Sequence, residues 1–377
     1  MRGRCLLFKE IISNLEWRIL LITILLSLLG IATIYSSSYF PEFYGKDYFL
    51  SAQTYWKKQL IWFFLGLVAL AIFTLIDYRT IIKYAYVIYF LSLSLLIIVL
   101  VIGEVKSGSR RWISLGFFNV QPSEFIKLAT IIVLSRFISD IRSGESLSFT
   151  EVLYPLALAL IPAILIILQP DLGTAISVIV ILIFYLFAAG VKRRVFYGGI
   201  LSAIAGSIVM WFFLEDYQRK RILTLFNPEA DPLGSGYNII QSKIAVGSGG
   251  IFGKGFLHGS QGQLKFLPES HTDFIFSVFA EEWGFIGVFF LFALFLSLIL
   301  FCLKVSLESP DKCGALLSFG ISSFLLFQVV VNISMVVGLL PVVGIPLPLF
   351  SYGGSSMLST MASIGIVLSI RGRRFIL

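Results

Sequence analysis

Charge is scarce in this chain of 377 residues. Only 13% of the residues are charged, whereas 58% are hydrophobic. Soluble globular proteins carry roughly 25% charged and about 45–50% apolar residues. The shortage of charge therefore excludes a water-soluble enzyme and a disordered chain. Because about 20 consecutive apolar residues suffice to span a bilayer, the long apolar stretches predict a polytopic membrane protein.

Cysteine is equally scarce, and the phosphate-binding motif of nucleotide hydrolases is missing. The three cysteines, Cys5, Cys302 and Cys313, have no paired spacing, which excludes a disulfide framework and a cysteine zinc site. The lack of a Walker A sequence argues against a process that this chain drives directly by ATP hydrolysis. The formal net charge of +8 would suggest nucleic acid in a soluble protein. Here the basic residues lie in loops, where membrane orientation explains them without a nucleic-acid partner.

The apolar runs predict an all-α fold with about ten transmembrane helices. The predicted spans are 17–36, 60–76, 84–102, 122–138, 152–168, 172–190, 196–214, 274–302, 314–337 and 353–370. Outside the one long loop, most basic residues fall at the N-terminus or in the loops of one side. The positive-inside rule places that side, and both termini, in the cytoplasm. The sequence thus predicts a single integral membrane domain, 1–377, with a large extracytoplasmic loop, 215–273, between spans seven and eight.

Charged residues inside predicted spans are costly and therefore informative. Glu124 and Lys127 open the fourth span, and their spacing of three places them on one helix face, where they can pair. This pair either serves the function or only holds helices together. Asp171 lies in the tight break between the fifth and sixth spans. It suits a helix N-cap, a role that is compatible with a functional one.

The long loop contains a predicted helix and a glycine-rich run. Tyr237, Ile240 and Ile244 recur at helical spacing, which predicts a short helix on the membrane surface. The run 247–255 is not the dinucleotide-binding pattern, because its glycine spacing differs and no strand precedes it. With Lys254 it forms either a nest for phosphate oxygens or a plain turn.

The end of the long loop brings several titratable residues toward the eighth span. His258, His271, Glu269 and Asp273 together raise the hypothesis of a metal site, although their spacing matches no zinc motif. Asp273 stands at an apolar boundary, where burial raises the pKa of a carboxyl toward the range of a general base. The alternative for Asp273 is a simple cap on the eighth span.

Several motifs together resemble the SEDS family (shape, elongation, division and sporulation). The segment 338–356, preceded by Asn332, is similar to the signature of this family. Further similar blocks follow one another over essentially the whole chain: 121–124, 169–174, 231–237, 241–242, 247–250 and 267–276. The blocks 254–255 and 258–264 are more similar to the rod-shape branch of the family than to the division branch.

The resemblance implies both a fold and a function. It implies ten spans with cytoplasmic termini, in the bacterial cytoplasmic membrane. It also implies a peptidoglycan glycosyltransferase that polymerises lipid II on the outer face, among membrane lipids and with a class B penicillin-binding protein as partner. The essential aspartate of the family corresponds to Asp273, and its polar cavity residues correspond to Glu124, Lys127 and Asp171.

This chemistry assigns roles to named residues. Asp273 would take the proton of the acceptor hydroxyl, and the reaction would invert the anomeric carbon in a single displacement. Lys127, Arg111, Arg221 or Lys243, or a divalent cation such as Mg²⁺ or Mn²⁺, would stabilise the departing pyrophosphate. Two alternatives from other classes are a lipid II flippase and a non-catalytic membrane scaffold of the wall-synthesis complex.

Overall fold

The computed structural model of the protein describes most of the chain. The described residues are 14–39, 54–106, 109–114, 116, 119–141, 149–192, 197–199, 201, 206, 211–212, 216–230, 234–263, 266–267 and 269–374. The predicted seventh span, 196–214, lies mostly outside these residues.

Helices make up most of the described structure, with one small sheet. The helices are α1 (Trp17–Ser37), α2 (Thr54–Leu75), α3 (Tyr78–Lys83), α4 (Ala85–Ile102), α5 (Pro122–Ser139), α6 (Phe149–Ile167), α7 (Leu172–Ala189), α8 (Asp216–Phe226), α9 (Ser235–Ser248), α10 (Ser260–Gln263), α11 (Ile275–Leu307), α12 (Lys312–Val336) and α13 (Gly354–Gly372). Between α4 and α5, the strands β1 (Glu104–Lys106), β2 (Ser109–Ser114) and β3 (Asn119–Val120) pair antiparallel in that order.

Seven helices of the described part are long and apolar enough to cross a bilayer: α1, α2, α4, α6, α7, α11 and α12. The prediction of a helical, polytopic membrane protein is therefore confirmed. Helix α2 begins at Thr54, six residues before the predicted boundary, because the helix continues past the apolar run into a more polar turn with two exposed lysines, Lys57 and Lys58. The α9 helix confirms the predicted helix in the long loop.

The helices α5 and α13 lie in the middle of the bundle and are buried on nearly all sides. Both carry buried serines and threonines, and several of their hydroxyls bond to carbonyls of their own helix, as Thr130 does to Ile126 and Ser363 to Ser359. By contrast, α4 exposes large apolar side chains such as Leu91. This division agrees with a lipid environment, where polar groups turn toward the protein interior.

The described α11 consists of two segments. Gly284 within it has φ 61° and ψ −163°, so the helical path breaks there. The freed N–H groups of Phe285 and Ile286 donate to the carbonyls of Gly250 and Ile251, at 2.9 and 3.2 Å. A continuous helix of 33 residues would be about 50 Å long, well beyond the ~30 Å apolar core of a bilayer. The break lets the first segment, which follows Asp273, take a separate direction.

The glycine-rich run forms the turn that closes this break. A side chain on Gly253 would stand 2.1 Å from the carbonyl oxygen of Glu282, so the close approach requires glycine. Lys254 is bound to the carboxylate of Glu281 at 2.6 Å. The run is therefore a packed turn, and its lysine is engaged by the protein rather than presented to a phosphate.

Basic residues of the predicted cytoplasmic side lie together at one end of the bundle. The ion pairs there are Arg371–Glu16 (3.5 Å), Arg371–Glu308, Arg374–Glu308 (2.6 Å), Arg373–Asp77 (3.8 Å), Arg79–Asp311 (3.5 Å) and Arg136–Asp140 (3.2 Å). They join the ends of α1, α11 and α13, and those of α3 and α12. The turn that carries Asp273 lies at the opposite end of α11.

Candidate active site

Asp273 lies in the turn 269–274, immediately before α11. The N-cap of α11 is Phe274, which makes no capping hydrogen bond through its side chain. The carboxylate of Asp273 instead lies beside Gly344, where an added Cβ would be 3.5 Å from Oδ2. Asp273 is partly buried. This geometry gives no support to the alternative in which Asp273 only caps the eighth span.

The surroundings of Asp273 make its carboxylate more basic than usual. Burial is the main cause, and together with the negative charge of Glu269 it raises the pKa of Asp273 to about 6. Arg221 and Arg111 oppose the rise, and Asp171 adds to it. At neutral pH the group is mostly ionised, yet it is basic enough to accept a proton from a reacting hydroxyl.

Asp171 combines the two roles that the sequence left open. Its carboxylate caps α7, accepting from Thr174 N at 3.2 Å and from the Thr174 hydroxyl at 3.0 Å. The same buried carboxylate pairs with Arg111 of β2 at 3.4 Å and accepts from the amide of Gln121 at 3.3 Å. Capping and ion pairing together fix Arg111 near Asp273. Gln121 belongs to a motif of the resemblance but was not predicted as a site residue.

The loop 338–347, between α12 and α13, collects the predicted site residues. Its contacts are Arg221 Nη1 to Val342 O (3.2 Å), Asn332 Nδ2 to Ile345 O (2.8 Å), Asp273 beside Gly344, and the Lys243 side chain against Gly338. Gly173 also packs here, since an added Cβ would stand 2.2 Å from Val343 O. Asp171, Arg111, Arg221, Lys243 and Asp273 are thus brought to one region around this loop.

The Glu124–Lys127 pair forms a separate polar site deeper among α5, α12 and α13. The two charges are 2.6 Å apart, and both side chains are buried. Ser359 donates to the second oxygen of Glu124 at 3.4 Å, and the ammonium of Lys127 lies 5.2 Å from the ring centre of Phe324. A small cavity borders Glu124, Phe324, Ser359 and Thr360. The predicted pairing is confirmed.

Two carboxylates in the first segment of α11 were not predicted. Glu281 accepts hydrogen bonds from Lys254, from the hydroxyl and backbone N–H of Ser260, and from Gln261 N. Glu282 accepts a hydrogen bond from Ser36 of α1. Both are buried, so they tie α1 and the long loop to α11. Two adjacent charges inside an apolar run were the sequence signal that would have found them.

The hypothesis of a His/His/Asp/Glu metal site is not supported by the geometry. Among the residues that the structure describes, no group of three or more His, Cys, Asp or Glu side chains could hold a metal ion. His258 is exposed and contacts its own loop at Phe256 O, while the ring of His271 stacks on Tyr55 with 4.2 Å between centroids. Among the described residues, these side chains therefore form no metal centre of three or more ligands.

Comparison with known proteins decides the family. The model of the FtsW/RodA/SpoVE family, described as cell cycle protein, matches residues 16–374. The chain belongs to this family. The resemblance found in the motifs is therefore confirmed, because these are the SEDS proteins.

Individual members of the FtsW/RodA/SpoVE family are similar over most of their length. The peptidoglycan glycosyltransferase MrdB of Escherichia coli (strain K12) is 44% identical over 311 residues, which are 82% of this chain and 84% of the relative. The RodA structure of Thermus thermophilus is 29% identical, covers 96% of this chain and 98% of its own, and has a TM-score of 0.70. A chain of a peptidoglycan synthase complex is 31% identical with the same coverage and a TM-score of 0.80. The chain is thus a multi-pass protein of the bacterial inner membrane.

Proposed function

We propose that the protein is a peptidoglycan glycosyltransferase that polymerises lipid II into glycan strands during cell-wall elongation. The observation that carries the proposal is the Asp273 carboxylate, whose pKa burial raises to about 6 beside Arg111 and Arg221. A group of that basicity is suited to general-base catalysis near neutral pH. The relative MrdB, 44% identical, is named a peptidoglycan glycosyltransferase and supports the same reaction.

The reaction is a single displacement. The carboxylate of Asp273 accepts the proton of the 4-hydroxyl of the acceptor sugar, and the hydroxyl oxygen forms a bond to the anomeric carbon of the donor. The bond from that carbon to the undecaprenyl pyrophosphate breaks, and the pyrophosphate departs with the electron pair. An α-linked donor then gives a β-linked strand, so no covalent enzyme intermediate and no second carboxylate are required.

The departing pyrophosphate needs positive charge more than it needs a proton. Arg111 and Arg221 are the cations we assign to it, because both act electrostatically on Asp273. Lys243, whose side chain lies against Gly338 of the same loop, adds a third charge. Lys127 is held by Glu124 in the deeper polar site, where we assign it to the substrate cavity.

We also propose ten spans, cytoplasmic termini and an extracytoplasmic loop 215–273. The clustering of the basic residues at one end of the bundle supports this topology, since basic residues favour the cytoplasmic side. A class B penicillin-binding protein is the proposed partner. The similarity to a chain of a peptidoglycan synthase complex, described as coordinating polymerization and crosslinking, supports this assignment.

Substitution of Asp273 tests the proposal. The Asp273→Asn variant keeps the size of the side chain but lacks a basic carboxylate, so we expect an unchanged melting temperature and a loss of polymerisation of at least about 100-fold. Purified protein, with and without a class B penicillin-binding protein, is supplied with lipid II, and glycan strands are separated on a gel. Asp140→Asn, at an exposed carboxylate, is the matched control and keeps full activity.

The same preparation separates the alternatives. If Asp273→Asn makes glycan strands at the wild-type rate, Asp273 is not the general base. If the wild type makes no strands while Asp273→Ala still moves lipid II across proteoliposomes, the protein is a flippase. A wild type that neither polymerises nor translocates, yet binds its partner, would be a scaffold.

A further inference from the structure

Three consecutive backbone carbonyls of the segment that carries Asp273 accept hydrogen bonds from residues distant in sequence. The hydrogen bonds are Tyr352 N to His271 O (3.0 Å), Ser351 Oγ to Thr272 O (2.7 Å) and Asn332 Nδ2 to Asp273 O (3.1 Å). The donors come from the end of α12 and from the residues before α13, far from the segment in sequence. Each peptide unit of 271–273 is therefore fixed from outside its own turn.

The side chains that hold this segment are themselves held. The supporting hydrogen bonds are Leu347 N to Ser351 Oγ (2.9 Å), Gln59 Nε2 to Ser351 O (3.2 Å), Gly353 N to Gln59 Oε1 (3.1 Å) and Asn332 Nδ2 to Ile345 O (2.8 Å). Gln59, Asn332 and Ser351 are buried, so water cannot replace a lost partner without cost. The segment rests on a network that has one strongly preferred arrangement.

This arrangement matters because Asp273 makes no cap and no ion pair within the described structure that would fix its side chain directly. Its carboxylate is placed by its backbone, beside Gly344. A general base acts only within hydrogen-bond reach of the proton that it removes, and a displacement of about 1 Å can cost about 100-fold in rate. The hydrogen bonds that fix the backbone at 271–273 therefore also determine where the carboxylate of Asp273 lies.

We propose that Ser351 and Asn332 are positioning residues for the reaction, holding the backbone of Asp273 so that its carboxylate stays buried and aimed at the acceptor hydroxyl. The inference rests on the proposed function, in which Asp273 is the base. Neither residue touches the substrate in this assignment. Both act through the carbonyls of Thr272 and Asp273.

The Ser351→Ala variant tests this role, since it removes one hydroxyl and little volume. We expect kcat for lipid II polymerisation to fall about 10- to 100-fold with KM changed less than about twofold. Ser351→Thr, which keeps the hydroxyl, should restore most of kcat. Asn332→Ala removes both hydrogen bonds that the side-chain amide donates, to Asp273 O and to Ile345 O, and should lower kcat in the same way.

The pH profile separates positioning from mere folding. The base must be ionised, so the wild-type rate rises as pH increases through about 6, the pKa of Asp273. A loosened segment admits water to the carboxyl and lowers its pKa, so the acid limb of Ser351→Ala should move to lower pH. The charged groups that act on Asp273 are all retained in this variant: Glu269, Arg221, Arg111 and Asp171.

Ser322→Ala is the matched control, because Ser322 is also buried and, among the described residues, its hydroxyl donates to Ser318 O of its own helix rather than to another segment. It should keep wild-type kcat and the wild-type acid limb. The inference is overturned if Ser351→Ala keeps both as well, or if kcat in all variants simply follows the melting temperature. A wild type that makes no strands would instead refute the proposed function, which is a distinct result.

Discussion

The bundle contains two sites of buried or partly buried charge, and the charges at these sites are stabilised in different ways. Glu124 and Lys127 neutralise each other at 2.6 Å, so neither charge faces the protein interior alone. Asp273 is kept partly buried in the field of more distant arginines, which leaves its carboxylate available to a proton. The first arrangement favours order and the second favours reactivity, because a strongly paired carboxylate is a weak base.

Breaking the Glu124–Lys127 pair should cost stability that a double replacement regains. Lys127→Met leaves a buried, uncompensated carboxylate, a loss of about 3–5 kcal/mol that should appear as a lower melting temperature. Adding Glu124→Gln removes the remaining charge and should restore most of that melting temperature. We expect polymerisation to stay low in the double variant, because it lacks the cation that we propose for the substrate cavity.

The exposed pair Arg136–Asp140, on the same helix, is the control for this prediction. Its side chains are 41% and 57% exposed, so Asp140→Asn should change stability by less than about 1 kcal/mol. Recovery of both melting temperature and polymerisation in the double variant would contradict a functional role. The pair would then only hold α5 in place.

At the scale of elements, the long loop is attached to α11 at the break at Gly284 and at the two glutamates just before it, Glu281 and Glu282. The turn 249–255 supplies two carbonyls to the N–H groups exposed at Gly284, and Lys254 binds Glu281 in the segment before the break. Asp273 lies in the turn immediately before that segment. The turn therefore supports, from the far end, the helix segment that follows the site.

A side chain at Gly253 should detach this turn. Gly253 has φ +79°, and an added Cβ would meet the carbonyl of Glu282 at 2.1 Å, so Gly253→Ala cannot keep the contact. We expect faster hydrogen–deuterium exchange over 250–262 and a lower melting temperature. Gly247→Ala is the control, because nothing lies within 4 Å of its Cβ and alanine favours the helix. Equal exchange in both variants would contradict the role of the turn.

Sequence reasoning succeeded where the determining contacts are local. The spacing of three predicted the Glu124–Lys127 pair, and apolar runs predicted the boundaries of the described spanning helices to within about six residues. The hydrogen bonds that fix the backbone around Asp273 were not predictable. Asn332 and Ser351 lie 59 and 79 residues from the carbonyls to which they donate. Only the packing of α11, α12 and the loop before α13 creates those contacts.

For the molecule as a whole, charge is sorted along the bundle axis. Basic residues meet acidic partners at one end, where Arg371 and Arg374 share Glu308. The other end holds Asp273, with Arg111 and Arg221 near it. Helices with few charges connect the two, as a bilayer requires. A substrate that carries a lipid and a pyrophosphate suits this division, because its chain can stay in the membrane while its charges meet the polar end.

This division predicts opposite accessibility for two exposed positions. Phe226 ends α8 and is 82% exposed, whereas Leu307 ends α11 and is 88% exposed. In a variant without Cys5, Cys302 and Cys313, we expect Phe226→Cys to react with a membrane-impermeant maleimide in intact spheroplasts. Leu307→Cys should react only after permeabilisation.

The result depends on one crossing, that of α11, which separates the two positions. Labelling of both cysteines from outside would mean that α11 does not cross the membrane, and would remove the spanning assignment of this helix. Labelling of Leu307→Cys alone would invert the topology and place Asp273 in the cytoplasm, away from the growing wall. The expected pattern puts Asp273, Arg111, Arg221 and the loop 215–273 on the outer face, as the proposed polymerisation of glycan strands requires.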